Sequence, residues 1–153
     1  MEEEVVSEFN RQQVLHFRLG DENYAVDINT VQSIIDSPSL TPVPNTPSFV
    51  LGLLNDRGSV KPVIDLSLLF GLKEGEGNLV ITLNVDEMYV GLRADSVEGV
   101  AEVDFSQLQP PPPSLHGVEM EYIIGVLPYK RVILTILDIG LILQHAKERI
   151  EKF

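Results

Sequence analysis

The feature that most limits how this chain can fold is that it repeats itself. A shift of 73 positions lays Phe49-Val50-Leu51-Gly52-Leu53-Leu54 over Tyr122-Ile123-Ile124-Gly125-Val126-Leu127. The same shift carries Val60 onto Ile133, Val63 onto Ile136 and Asp65 onto Asp138. A shift of 66 lays Val14, Leu15, Phe17 and Leu19 over Val80, Ile81, Leu83 and Val85, then Asn29-Thr30-Val31-Gln32 over Asp95-Ser96-Val97-Glu98. Repetition of this kind signals one structural unit used twice, and it has to be read before any single site.

The unit is made of strands. Leu15, Phe17 and Leu19 alternate with His16 and Arg18, the period of a strand with one buried face. Gly20-Asp21-Glu22-Asn23 turns that strand into Tyr24-Ala25-Val26. Leu51 to Leu54, the turn Asn55-Asp56-Arg57-Gly58 and Val60 to Leu66 form a second hairpin, with Gly58 suited to positive φ. Its counterpart is Ile123 to Leu127, Pro128-Tyr129-Lys130 and Val132 to Ile139. The long crossover helices of a parallel sheet are missing, so two small barrels are expected rather than one α/β sheet.

Two segments interrupt the pattern. Lys73-Glu74-Gly75-Glu76-Gly77 reads as a flexible, charged surface connection, and Gln109 to Pro113 as a rigid polyproline linker. From about Asp138 or Gly140 to Lys152, the spacing of Leu141, Leu143, Ala146 and Ile150 predicts an amphipathic helix packed on a barrel.

Composition narrows the function. With 23 acidic and 11 basic residues the net charge is -12, which offers no basic stripe to nucleic acid. The absence of cysteine removes thiolate chemistry and cysteine-ligated metals, and fits a cytoplasmic protein. The opening Glu2-Glu3-Glu4 is unlike a signal peptide, and no apolar run reaches the length of about 18 residues that a membrane span needs.

No catalytic, cofactor or metal site is expected. His16, His116 and His145 fall in a strand, a loop and the final helix without ligand spacing, and read as ordinary surface residues. Ser59 lacks a nucleophile elbow, and Gly75-Glu76-Gly77 lacks the ending of a phosphate loop. Asp65 and Asp138 read as helix N-caps rather than a paired acid site.

The run from Phe49 to Leu66, in which a strand reaches Asn55-Asp56-Arg57-Gly58 and returns through Val60-Lys61-Pro62-Val63-Ile64 to Asp65-Leu66, resembles the signature of CheW-like domains. Phe17 to Ile28, Asp95 to Val100, the prolines and Tyr122 to Val126 support it in family order. Asp56 and Lys61 depart from the pattern, which more often has apolar residues there, and the turn Pro128-Tyr129-Lys130 is a plain substitute for its usual polar hairpin.

The resemblance implies a mainly β fold: two five-stranded SH3-like barrels with short helices and a C-terminal helix. It implies an acidic segment over 1–13, a CheW-like domain over 14–143 with halves of about 14–70 and 78–143, and the end of the helix over 144–153. It implies a non-catalytic adaptor between the helical tip of a chemoreceptor and the regulatory domain of a CheA-type histidine kinase. Such an adaptor is cytoplasmic, reaches the membrane only through partners and takes no cofactor.

On physics alone Asp56-Arg57 is a solvated hairpin tip; the resemblance assigns Val43, Asn55, Asp56, Arg57 and Gly58 to kinase coupling. Ile28, Val31 and Ile34, three apart after Asp27, suggest one face of a short helical turn that could cover a barrel mouth. The resemblance places them with Leu15, Val97 and Val100 in a receptor-binding groove. Competing readings are a CheW-like adaptor of another chemosensory system, such as one controlling pili, a β-barrel enzyme, and an OB-like or SH3-like nucleic-acid module.

Overall fold

A computed structural model describes residues 10–112 and 120–153. Among these residues, ten strands fall into two five-stranded sheets. The first has the order β8-β1-β2-β10-β9 and the second β3-β6-β7-β5-β4. Their bounds are β1 Arg11–Leu19, β2 Glu22–Asp27, β3 Val31–Asp36, β4 Val50–Asp56, β5 Ser59–Ile64, β6 Leu79–Val85, β7 Met88–Ala94, β8 Ser96–Asp104, β9 Ile123–Tyr129 and β10 Val132–Leu137. Two α-helices follow hairpins, α1 at Leu66–Leu69 and α2 at Ile139–Glu151. The two sheets are consistent with SH3-like subdomains.

Each repeat is divided between the sheets. The first gives β1 and β2 to one sheet and β3, β4 and β5 to the other; the second gives β6 and β7 to the latter and β8, β9 and β10 to the former. One large core therefore draws on both sheets, with Leu15, Phe17, Leu19, Tyr24 and Val26 packed among Ile64, Ile81, Leu83, Leu92 and α2 residues Ile142, Leu143 and Ala146. Each sheet also closes over a small core of its own, around Val14, Ala25, Leu134 and Ile136 in the first and around Leu54, Val63 and Val80 in the second. β1 thus has two buried faces. The alternation of apolar and polar residues expected of it fails at His16, which is buried, bonds Asn23 Oδ1 through Nε2 at 2.8 Å and meets the Tyr129 ring edge-on.

The repeated glycines have a steric reason. At Gly52 and Gly125 an incoming segment crosses close to the strand, through the bridges Thr41 to Leu53 and Gln109 to Val126. A Cβ on Gly52 would lie 2.7 Å from the Thr41 carbonyl oxygen, and one on Gly125 3.1 Å from that of Gln109.

Both carboxylates expected as caps are caps. Asp65 accepts from the Ser67 and Leu68 N–H groups, and Asp138 from that of Leu141. The helix predicted over the C-terminus is α2, whose Arg149 lies over the Phe49 ring and donates to the Leu69 carbonyl, tying it to α1 and to the residue that precedes β4. The 73–77 connection is not loose. Gly75 N–H donates to Asp65 and Gly77 N–H to Asp95, so a buried and a half-buried carboxylate hold its backbone. Pro113 and His116 lie outside the described residues.

Candidate partner-binding surfaces

The segment after Asp27 is not a continuing helical turn. Asp27 caps one 3-10 turn, Ile28–Thr30, by accepting from Asn29 N–H, and from Val31 onward the chain is β3. The β-branched Val31, Ile34 and Ile35 favour a strand, and pairing with β6 supplies the backbone hydrogen bonds that a short helix could not.

Three-residue spacing in a strand would ordinarily place Val31 and Ile34 on opposite faces. A bulge at Gln32 prevents this. Val31 pairs with Leu83 while Ser33 already pairs with Thr82, so Ile34 comes opposite Ile81, on the face that looks into the shared core.

β8 repeats the device. Val97 pairs with Phe17 and Gly99 with His16, so Glu98 is the extra residue and Val100 comes opposite Leu15. By the shift of 66, Val31, Gln32 and Ile34 correspond to Val97, Glu98 and Val100, and Leu83 and Ile81 to Phe17 and Leu15. Two edge strands, one on each sheet, therefore present matching apolar pairs at the margin of one core.

Within each pair the first residue is half-buried. Ile28, Val31 and Val97 pack against the cluster that holds Leu15. The second residue stands out, with Ile34 45% and Val100 56% exposed. Leu15 itself is buried and forms the floor rather than the surface.

The second candidate surface is the β4–β5 hairpin. Asp56 pairs with Ser59 across Arg57 and Gly58, whose φ of 53° and 83° belong to a two-residue type I′ turn. Asn55 Oδ1 accepts from Gly58 N–H and braces the turn. Arg57 is exposed and, among the described residues, its guanidinium has no ion pair. Val43 belongs to the loop between β3 and β4, where its carbonyl accepts from Thr46 Oγ1. That loop reaches the hairpin's sheet through the Thr41–Leu53 bridge.

Lys61 links the two surfaces. It is buried, and its ammonium lies 3.7 Å from Asp56 Oδ2 and 3.3 Å from Gln32 Oε1, the bulge residue of β3. Asp56 and Lys61, which the resemblance marked as departures, are therefore partners. A lysine buried at this depth needs a carboxylate and an acceptor beside it.

A polar hub centred on the buried Arg93 and Asp65 escapes a reading by motif. Arg93 bridges Asp65 at 3.5 Å and Asp95 at 3.2 Å. Asp95 also accepts from the Gly20 and Gly77 N–H groups. Burial pushes the Asp95 carboxyl up, but those hydrogen bonds and the Arg93 guanidinium outweigh it and hold the group below its ordinary value. The signal in the sequence was a lone arginine between Leu92 and Ala94 in an apolar strand, which demands a buried counterion.

Among the described residues no cluster of histidine and carboxylate side chains is placed to hold a metal ion, and no helix is long and apolar enough to cross a membrane.

The model of the CheW-like domain matches residues 13–147. The chain belongs to the CheW family. It is 35% identical over 131 residues to chemotaxis protein CheW of Klebsiella aerogenes, covering 84% of this chain and 79% of that one. It is 33% identical over 146 residues to protein FrzA of Myxococcus xanthus, covering 90% and 89%. Among solved structures it resembles the scaffolding protein TtCheW from Thermoanaerobacter tengcongensis, with a TM-score of 0.76 at 29% identity, over 86% of this chain and 91% of that one. Membership makes the chain a non-catalytic adaptor of chemotaxis signalling, coupling receptors and CheA.

Proposed function

We propose that the chain joins the cytoplasmic helical tip of a chemoreceptor, held along β3 and β8, to the regulatory domain of a CheA-type kinase, held at the β4–β5 hairpin. The observation that carries this reading is the matched pair of bulged edge strands. A bulge in each spends ladder pairing to keep Val31 and Ile34, and Val97 and Val100, on the core-facing side, where a helix could cover them. The working unit is residues 14–143, with 1–13 and 144–153 as flanks, and the protein acts in the cytoplasm, at receptor arrays that it reaches through its partners.

Kinase coupling is assigned to Asn55, Asp56, Arg57, Gly58 and Val43. An unpaired arginine on a braced turn has no folding duty, which leaves its charge available for a partner. Adding the chain to receptor-containing membranes and kinase should confer ligand-controlled phosphorylation, and kinase activity that ignores the chain would overturn the proposal. The likeness to protein FrzA favours, as a second reading, an adaptor of a chemosensory system other than flagellar chemotaxis. Capture of the native receptor from its own cell tells the two apart.

A further inference from the structure

The β9–β10 hairpin ends in a turn whose chemistry the fold does not call for. Tyr129 pairs with Val132 across Lys130 and Arg131, and both turn residues have positive φ, 45° and 71°. Asparagine and glycine adopt that type I′ geometry readily, whereas long side chains are strained in it. By the shift of 73, Lys130 and Arg131 correspond to Arg57 and Gly58, so the first half retains the glycine that the second lacks.

The tip also holds two adjacent cations in a chain of net charge -12, and among the described residues neither forms an ion pair. The contact of the Lys130 ammonium is with the neighbouring Tyr129 ring, 5.3 Å from its centroid.

Beneath the tip is a cavity of about 250 Å³ lined by Tyr129, Lys130, Val132, His16 and the β8 residues Glu98 to Ala101. Val100, part of its lining, is also one of the exposed apolar residues of β8. Space over Gly99 is open, with nothing within 4 Å of where a Cβ would stand. The Glu98 carboxylate is engaged by the Ser96 hydroxyl at 2.9 Å.

We infer that Lys130 and Arg131 receive an acidic side chain of the receptor helix that lies along β8, the cations steering it while Val100 packs on its apolar face. This rests on the reading of β3 and β8 as the receptor groove. Charge complementarity selects the occupant: an acidic partner segment is repelled by most of this surface and attracted at this tip.

The test uses the full chain with Lys130→Asn and Arg131→Gly together, a substitution that suits the turn while removing both charges. The probe is a soluble cytoplasmic fragment of the cognate receptor, followed by stopped flow at low and high salt. The inference predicts a higher melting temperature than wild type, association slowed about tenfold at low salt, a flatter salt dependence and unchanged binding of the kinase regulatory domain. Receptor association with the wild-type rate and salt dependence overturns it, as does loss of the kinase domain in place of the receptor. Val31→Asp is the control: if it binds receptor normally the groove reading falls and takes this one with it. If Val31→Asp loses the receptor but the turn variant does not, the tip proposal alone fails.

Discussion

Asp65 and Asp138 occupy equivalent places in the two halves and share a backbone role. Each donates its N–H to the carbonyl of the aromatic residue that the repeat also matches, Asp65 to Phe49 and Asp138 to Tyr122, both at 2.8 Å. Each caps the helix that follows. Their surroundings differ: Asp65 is wholly buried beside Arg93 and under Gly75, whereas Asp138 is half-buried and, among the described residues, faces no cation. The duplication preserves what the backbone needs at a hairpin-to-helix junction. What one copy gained is an ion pair that ties the end of β5 to β7 and to the connection between the halves.

The largest effect expected from this contrast is on Arg93. Arg93→Ala leaves the Asp65 carboxylate buried without its cation and should cost about 3–5 kcal/mol in urea unfolding. Asp138→Ala should cost only about 1 kcal/mol, the ordinary worth of an N-cap. Equal losses would mean that the two carboxylates do the same work and that the hub is incidental.

Lys61 also sets the halves apart, because its counterpart in the second half is the buried Leu134. The double variant Asp56→Leu, Lys61→Met replaces with apolar volume a charge pair whose lysine is buried and whose aspartate is partly exposed, and should leave stability within about 1 kcal/mol of wild type or raise it. Lys61→Met alone strands Asp56, which is partly exposed, and should be the less stable of the two.

A smaller effect is expected with acid. The folded-state pKa of Asp95 lies below its ordinary value, so ionised Asp95 stabilises the fold above the unfolded pKa of about 3.9, and this is lost as pH falls through the lower folded value. The stability difference between wild type and Asp95→Asn should therefore be flat from neutral pH down to about pH 5 and shrink below about pH 4. A difference that persists unchanged to pH 2 would show that the carboxylate's charge is immaterial.

Much of the fold was legible because strand period, turn chemistry and repetition agreed. Where reading failed, a tertiary partner overrode a local pattern. His16 looked like the polar face of a half-buried strand, but the face opposite Leu15 and Phe17 encloses a second small core. Gly75 and Gly77 looked like flexible punctuation, and instead let the backbone reach two carboxylates that are distant in sequence. The helical turn proposed over Ile28 to Ile34 came from three-residue spacing, which a bulged strand also produces. A single sequence does not show a bulge; the register between β3 and β6 does. Lys61 and Asp56 were visible as departures from the family pattern, but their pairing depended on the turn that brings β4 back along β5.

The proposed function requires that the bulged edge strands and the β4–β5 hairpin serve different partners. Binding of the receptor fragment and of the kinase regulatory domain should be measured on Val31→Asp and Arg57→Glu, with melting temperatures alongside. Arg57→Glu, on the surface, should cost under about 0.5 kcal/mol in stability and weaken the kinase domain while sparing the receptor. Val31→Asp places a charge where an apolar contact worth about 1.5 kcal/mol was made, so a folded variant should lose at least tenfold in receptor affinity and keep the kinase. A folded Val31→Asp protein that binds receptor like wild type, or variants that weaken both partners equally, would contradict the claim.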